Sequence, residues 1–160
     1  MSTTEPLSSP GIRFPPPLLF IGGILLGWLL DRRWHALPLS SAHPRPLAFL
    51  GELLVGLGMA LALWGIVTFR SAKTAIIPFH AASRLVTGGP YRFTRNPMYT
   101  GMTLVHVGAS ALLNSAWPLL LLPLALLVVR LRVIAREEAY LEGAFGAEYD
   151  AYRSRVRRWL

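Results

Sequence analysis

Long apolar runs alternate with polar segments along this chain. Residues 14–30 are apolar after an opening cluster of prolines, and residues 47–69 form the clearest run. A third apolar stretch at 102–135 breaks at residues 114–118, because a proline there cannot continue the hydrogen-bond ladder of a helix. A helix needs about 20 apolar residues to cross a bilayer. The pattern therefore predicts an all-α integral membrane protein with about four transmembrane helices.

The remaining segments are polar and differ in character. Residues 1–13 are rich in Pro, Ser and Thr, residues 70–97 carry several Arg, and residues 136–160 have aromatic and apolar side chains every three or four positions. That last spacing is typical of an amphipathic helix. We expect one membrane domain over residues 1–160, made of a polar tail at 1–13, a transmembrane bundle at 14–135 that includes a cytosolic loop at 70–97, and a C-terminal amphipathic segment at 136–160.

Glycines recur in the first two runs and in the C-terminal segment. Those in the runs predict that the first two helices approach each other closely; they are Gly23, Gly27, Gly51, Gly58 and Gly65. The same packing would serve one chain or a dimer, so the oligomeric state stays open. Gly143 and Gly146 predict interruptions of the C-terminal helix. Glu52, the one charge in the second run, is either an acid that functions within the membrane or a group that reaches the interface or caps a neighbouring helix.

The composition agrees with a membrane location. Of the 160 residues, 53% are hydrophobic and 15% are charged, whereas roughly 25% of residues are charged in a soluble domain. The net charge of +8 comes from basic residues that flank the apolar runs. This placement favours anionic membrane lipids as partners over nucleic acid, since no groove-reading motif accompanies the charge. The sequence has no cysteine, which excludes thiolate nucleophiles and cysteine-ligated metals, and we expect no metal site.

Basic residues are unevenly distributed between the polar segments. They are frequent in the 70–97 loop and after residue 129, and sparse between residues 31 and 46. Loops rich in Lys and Arg stay in the cytoplasm. We therefore expect a multi-pass protein of the inner or plasma membrane with both termini and the 70–97 loop in the cytoplasm, so that the two polar blocks share one side.

The stretch GGPYRFTRNPMYTG, residues 88–101, is polar and bent between apolar runs. Its Gly and Pro residues predict turns with free backbone N–H groups, and Pro97 predicts the start of a helix. A helix N-terminus attracts carboxylate or phosphate, and Arg92 and Arg95 add donors for the same groups. An interfacial loop that contacts lipid phosphates explains the stretch equally well.

Two adjacent acids follow the last apolar run. Glu137 and Glu138 are costly at the end of an apolar helix unless a cation or a hydrogen-bond donor meets them. A ligand with an amino-acid head and hydroxyls would satisfy both polar blocks. The alternative is an ion pair with Arg92, Arg95 or Arg132. His106, inside the third stretch, is expected to be a hydrogen-bonded packing residue.

These two blocks carry a resemblance. LVTGGPYRFTRNPMYTG, followed after two apolar helices by REEAYLEGAFGAEYDAYRSRV, resembles the isoprenylcysteine carboxyl methyltransferase and phospholipid methyltransferase superfamily of integral membrane enzymes. The similarity covers about residues 85–156. It implies a cytosol-facing pocket that binds S-adenosylmethionine and is closed by the C-terminal helix. The product of the cofactor would be S-adenosylhomocysteine. The similarity also implies a lipid-like substrate that enters from the bilayer.

The resemblance also implies roles for individual residues. The cofactor contacts would come from two walls and comprise Tyr91, Arg95, Asn96, Pro97, Tyr99, Gly101, Glu137, Glu138, Tyr149 and Tyr152. Asn96 stands where many members have His, which leaves a binding role but no proton-carrier role at neutral pH. Arg95 or Arg132 would orient a carboxylate acceptor, which is favoured, and Glu138 would be the base for an amine acceptor.

Two other functions are compatible with the same sequence. One is an NADPH-dependent membrane reductase of the sterol reductase type, which would need contacts to adenosine phosphates beyond this short C-terminal segment. The other is a non-enzymatic membrane adaptor whose basic face binds anionic lipid. The adaptor would tolerate Arg95→Lys, whereas an enzyme that uses the planar guanidinium would not.

Overall fold

The computed structural model describes residues 15–34, 36–41, 44–72 and 84–159. The elements in chain order are α1 (Pro17–Arg33), α2 (Pro44–Ser71), a 3-10 turn (Gly89–Arg92), α3 (Pro97–Leu112), α4 (Trp117–Val128), a π-helical turn (Val129–Ile134), α5 (Ala135–Phe145) and α6 (Ala147–Arg155). No strand occurs within these ranges, which confirms the all-α prediction for the part described. The predicted 1–13 tail and residues 73–83 of the predicted loop lie outside the described residues.

Helices α2 and α3 pack closely through glycine. A Cβ atom added at Gly58 would lie 2.5 Å from the carbonyl oxygen of Gly101, and one added at Gly51 would lie 2.8 Å from that of Gly108. These separations are far below carbon–oxygen contact, so only a residue without a side chain lets the two backbones meet there. The contact fixes how α3 stands against α2, and α3 in turn carries part of the site.

Helix α1 packs on α4 and α3. A Cβ added at Gly27 would lie 2.5 Å from the backbone nitrogen of Pro118, and one added at Gly23 would lie 2.9 Å from the imidazole of His106. The glycines therefore permit close approach, as their spacing indicates. The prediction that they bring the first two helices together is wrong, because the backbones and side chains that they face lie on α3 and α4.

His106 is fully buried where α1, α3 and α4 meet. Its Nε2 lies 2.9 Å from the carbonyl oxygen of Pro118. The ring also meets Phe20 edge-on, with 6.2 Å between the ring centroids. The packing role predicted for this histidine is confirmed.

The predicted break between the third and fourth helices is confirmed as a tight turn. Asn114 has φ 49°, and its side chain accepts from the N–H of Ser40 at 2.9 Å and donates to the carbonyl of Ser40 at 3.0 Å. Ser115 donates to Asp31 Oδ1 at 2.7 Å, and Ala116 N–H donates to the carbonyl of Leu37 at 2.8 Å. These bonds connect the α3–α4 turn to the last turn of α1 and to the segment after it, at one end of the bundle.

Two helices are long and apolar enough to cross a membrane, by length and composition. They are Arg45–Ser71, with 27 residues and a mean hydropathy of 2.0, and the continuous helix Trp117–Phe145, with 29 residues and 2.2. Helix α2 leaves large apolar side chains exposed along its length, Phe49, Leu57 and Val67 among them. A lipid environment accounts for such exposure. Helices α1 and α3, with 17 and 16 residues, are shorter, and the four-span bundle stays a prediction.

The two C-terminal glycines behave differently. Gly143 lies inside α5 and has open space around its Cα, so it does not interrupt the helix as predicted. Gly146 adopts φ 47° and separates α5 from α6, as predicted. A left-handed backbone costs an L-residue energy that glycine avoids. The result is a bend that folds α6 back toward the 84–96 loop.

Candidate functional site

The loop before α3 is bent by a glycine that no other residue replaces easily. Gly89 has φ 57°, and a Cβ added there would lie 2.5 Å from Thr68 Oγ1. The 3-10 turn that follows buries Pro90 and Tyr91. Helix α3 then begins at Pro97, where a missing N–H costs no helix hydrogen bond. The predicted helix start is confirmed, and the loop brings its polar residues to the end of the bundle.

The acidic pair lies just beyond the π-helical turn. Val129, Val133 and Ile134 of this turn are 0%, 0% and 1% exposed, so it is packed in the core. A π turn holds more residues per turn than an α-helix and changes the direction of the side chains that follow, and such turns are frequent at functional sites. Glu137 and Glu138 then occupy the first turn of α5, beside the loop.

Arg95 joins the two polar blocks. Its NH1 donates to the hydroxyl of Tyr149 at 3.2 Å and lies 3.1 Å from Glu138 Oε1. Glu138 is also paired with Arg158, whose Nε donates to Oε1 at 2.9 Å and whose NH2 donates to Oε2 at 2.5 Å. The ion pair that was the alternative for the acids is therefore present at Glu138, with Arg95 as one of its partners. The hydrogen bonds to Glu138 raise the pKa of Arg158.

Tyrosine hydroxyls form further hydrogen bonds between the loop block and the C-terminal block. Tyr99, on α3, donates to Glu137 Oε1 at 2.8 Å. Tyr152, on α6, donates to the backbone carbonyl of Tyr91 at 2.8 Å. Burial raises the pKa of Tyr91, Tyr149 and Tyr152 above the ordinary phenol value. These three hydroxyls therefore keep their protons at neutral pH. That of Tyr152 is used in its bond to Tyr91, and those of Tyr91 and Tyr149 are available as donors.

Two buried polar atoms at the site have no hydrogen-bond partner among the described residues. They are the hydroxyl of Tyr91 and Nε of Arg95. Buried polar atoms are usually paired, so each unpaired one calls for an explanation. A polar ligand or water that reaches the site would supply the missing partners.

An open cleft of about 280 Å³ lies beside the cluster, with Tyr152 in its wall. Its lining comprises Thr87, Arg92, Tyr152, Arg155 and Val156. Among the described residues of the lining no side chain is acidic, so two guanidinium groups give the cleft a positive character. The cleft is suited to an anionic group.

The structure brings together most of the residues selected from sequence. Tyr91, Arg95, Tyr149 and Tyr152 lie in one cluster with the acidic pair, and Asn96 and Pro97 are buried in the turn that leads into Tyr99. Two selected residues stand apart. Gly101 faces α2, where its absent side chain serves packing, and Arg132 is exposed on the π-helical turn. Glu52 is exposed on α2. The functional roles of all these residues stay predictions.

Sequence reasoning missed the segment that follows α6. Thr94 Oγ1 and Asn96 Nδ2 donate to the carbonyl of Arg158 at 3.1 and 3.0 Å, and the N–H of Arg95 donates to the carbonyl of Arg157 at 2.9 Å. Because its amide donates to Arg158, the side chain of Asn96 does not cap α3. Arg158 is one of many arginines in the sequence, and only its proximity to Glu138 distinguishes it.

The geometry is that of a helical, membrane-type protein with one polar site at a bundle end, and comparison with known proteins gives the family. Residues 47–148 match the phospholipid methyltransferase family, and the chain belongs to that family. No solved structure matches the chain.

Individual relatives point to the same superfamily. A probable protein-S-isoprenylcysteine O-methyltransferase of Oryza sativa subsp. indica is 29% identical over 115 residues, which are 71% of this chain and 60% of that protein. The protein-S-isoprenylcysteine O-methyltransferase of Schizosaccharomyces pombe is 39% identical over 72 residues, 45% of this chain and 30% of that protein. An uncharacterized protein of Haemophilus influenzae is 40% identical over 63 residues, 39% of this chain and all of that protein. The chain thus spans about three fifths of the length of the rice relative.

Proposed function

We propose that this protein is an S-adenosylmethionine-dependent methyltransferase of the membrane that acts on a lipid-like acceptor, with carboxylate O-methylation favoured over amine N-methylation. Family membership supports methyl transfer. The rice and yeast relatives are named for O-methylation of isoprenylcysteine, so a prenylated thioether carboxylate is the first acceptor class to test.

The contacts of Arg95 carry the proposal. This side chain comes from the loop block and meets Tyr149 and Glu138 of the C-terminal block within 3.2 Å. The two blocks that are characteristic in sequence are therefore one constellation in space. A basic loop that only contacted lipid phosphates would not need this convergence, because exposed arginines serve that purpose.

The residues at the site fit the polar parts of S-adenosylmethionine. Its amino-acid head and ribose need anion-binding groups and hydrogen-bonding groups, and Arg92, Arg155 and Thr87 provide both around the cleft. The buried unpaired atoms of Tyr91 and Arg95 are not in the lining of the cleft and would be further contacts for a ligand or water that reaches beyond it. Pockets for molecules of this size are roughly 300–1,000 Å³, so the cleft, at about 280 Å³, is close to the lower bound.

Methyl transfer to a carboxylate requires little of the protein beyond holding the donor and the acceptor in position. When bound, S-adenosylmethionine would supply an activated methyl group. A carboxylate acceptor is already ionised at neutral pH and needs no general base. The protein then has to orient the acceptor, for which Arg95 supplies charge, and to exclude water. Arg132, the other residue expected to orient the acceptor, is exposed on the π-helical turn away from the cluster.

An amine acceptor would ask more of Glu138. The amine would have to lose a proton before it could accept a methyl group, and Glu138 is the candidate base. Both carboxylate oxygens of Glu138 already accept from Arg95 and Arg158. One of these pairs would have to open before Glu138 could take a proton from a substrate. This occupancy favours the carboxylate acceptor.

We further propose four membrane spans with the site end in the cytoplasm. Besides the two long helices, α1 and α3 would cross the bilayer with the help of neighbouring residues. The site lies at the end of the bundle that carries Arg95, Arg155 and Arg158, and basic segments remain cytoplasmic. A lipid-like acceptor would then reach the site from the inner leaflet.

Calorimetric titration of the detergent-solubilised protein with S-adenosylhomocysteine tests the proposal. We expect micromolar binding that Glu138→Gln and Tyr99→Phe weaken, because each removes a charge or hydroxyl at the site. Glu148→Gln is the matched control, since Glu148 is exposed on α6. Folded protein that shows neither heat nor a thermal shift would refute the cofactor assignment, and NADPH would be the next ligand. Harmless Arg95→Lys would favour the lipid adaptor.

A further inference from the structure

The segment that follows α6 lies across the site as an extended strap. We define the strap as residues 156–159, which begin with extended backbone at Val156. Its carbonyl groups at Arg157 and Arg158 accept three hydrogen bonds of 2.9–3.1 Å from residues 94–96. The strap therefore holds the backbone turn that leads from the loop into α3.

The guanidinium of Arg158 binds the carboxylate of Glu138 in a bidentate manner. Both carboxylate oxygens are engaged, Oε1 by Nε at 2.9 Å and Oε2 by NH2 at 2.5 Å. Among the described residues, Arg95 adds a contact to Oε1 alone. The side chains of Arg158 and Glu138 are 35% and 18% exposed. Partly buried, bidentate contacts are stronger and more directional than exposed ion pairs.

Trp159 anchors the strap on its other side. This side chain packs against the core cluster that contains Phe20, Tyr99 and Ile134. Tyr99 is the same residue that donates to Glu137. Residues 156–159 thus touch the loop, the acidic pair and the core at once, and they cannot move without disturbing all three.

We propose that Arg158 is a positioning residue of the cofactor site, acting through Glu138. This inference rests on the proposed function. Glu138 Oε2 has Arg158 as its partner, so removal of the guanidinium frees the carboxylate to rotate about its last torsion. Arg95 then loses a fixed acceptor and with it the orientation toward Tyr149. A ligand would have to pay the cost of ordering these groups on binding, which lowers its affinity.

The opposite sign is expected if Arg158 merely occupies the place of a ligand cation. In that case the guanidinium would compete with the sulfonium of S-adenosylmethionine for Glu138, and its removal would tighten binding. The three hydrogen bonds to the backbone carbonyls of Arg157 and Arg158 and the packing of Trp159 argue for a fixed part of the site, because a displaceable competitor needs none of them.

The test is a titration of the full chain in detergent with S-adenosylhomocysteine, with the thermal midpoint of each variant measured in parallel. We expect Arg158→Gln to weaken binding by about tenfold or more, as for loss of a charge-assisted hydrogen bond. Arg158→Lys, which keeps the charge but not the bidentate contact, should fall in between and serves if the Gln variant does not fold. Arg153→Gln is the matched control, since it removes the same charge from a more exposed pair with Glu142 and Asp150.

A double-mutant cycle separates positioning from a general loss of stability. The variant Arg158→Gln with Glu138→Gln should bind no more weakly than Glu138→Gln alone, because Arg158 acts through that carboxylate. Unchanged or tighter binding by Arg158→Gln, or additive losses in the double variant, would overturn the inference. If the wild-type protein itself does not bind, the proposed function fails and the inference falls with it. Wild-type binding with an unaffected Arg158→Gln variant refutes the inference alone.

Discussion

Replacement of Gly58 by alanine tests the contact between α2 and α3 on which the site rests. The new Cβ would lie 2.5 Å from the carbonyl oxygen of Gly101 and 2.9 Å from both Cγ2 and the backbone nitrogen of Val105. Two of these three atoms belong to backbone, so the conflict is relieved only if the helices move apart. Overpacking of this kind costs about 1–3 kcal/mol. Alanine regains about 0.5–1 kcal/mol over glycine from helix propensity, so the net loss should be about 0–2.5 kcal/mol.

The same helix offers a matched control. Gly56 lies two residues away on α2, and a Cβ added there meets nothing within 4 Å. Gly56→Ala should therefore keep or slightly raise the stability, because only the propensity gain remains. The assay is the thermal unfolding midpoint of both variants and the wild type in one detergent, followed by the fluorescence of the tryptophans.

A Gly58→Ala variant at least as stable as Gly56→Ala would refute the close contact. A second readout tests its consequence for the site. Separation of α3 from α2 displaces Pro97 and Tyr99 relative to the loop, so Gly58→Ala should also weaken binding of S-adenosylhomocysteine, whereas Gly56→Ala should not.

Other predictions concern the two ends of the bundle. Asn114→Ala should lower stability by about 2–3 kcal/mol. The variant loses both hydrogen bonds to Ser40, and alanine has no polar side chain to stabilise the left-handed backbone at φ 49°. Binding of S-adenosylhomocysteine by this variant should stay within about twofold, since the turn lies at the far end; Asn114→Gly should be intermediate in thermal unfolding. Tyr152→Phe should cost about 1–2 kcal/mol in the same assay, because it leaves the carbonyl of Tyr91 without its donor. Burial raises the pKa of Tyr152 and Tyr91, so their contribution to stability is complete below pH about 10 and declines as pH rises beyond that value. A pH series of thermal midpoints should thus fall more steeply above pH 10 for the wild type than for Tyr152→Phe, and parallel curves would contradict the assignment.

Several features of the fold follow from local chemistry and were predicted. The 47–69 run contains most of α2, and α3 starts at Pro97. The turn between α3 and α4 lies at residues 113–116, close to the predicted 114–118, and Pro118 falls in the first turn of α4, where a proline is tolerated. Each depends on neighbouring residues alone. The convergence of the two polar blocks was also predicted, because alternating helices return the chain to the same end of a bundle.

The sequence could not predict which helix each glycine contacts or which residue a single charged side chain pairs with. A glycine pattern shows that a helix can be approached closely but not by which helix, and here α3 and α4 lie where a direct contact of α1 with α2 was expected. Gly143 stays helical because one glycine costs only about 1 kcal/mol among helix-forming neighbours. Arg158 follows a helix end and owes its role to the return of the chain across residues 94–96, which depends on the tertiary fold.

The π-helical turn makes the aim of the acidic pair depend on a count of residues. An α-helix turns by about 100° and rises about 1.5 Å per residue. Deletion of Ala135 or Arg136, in the regular helix between the turn and the acids, would rotate the residues after it by that angle relative to the core-packed turn. Glu137 and Glu138 would then face away from Tyr99 and Arg95. A deletion within Val129–Ile134 would instead be absorbed, because a π turn with one residue fewer becomes α-helix of about the same total rotation. The spacing between the π-helical turn and the acids is thus as much a part of the site as the acids themselves.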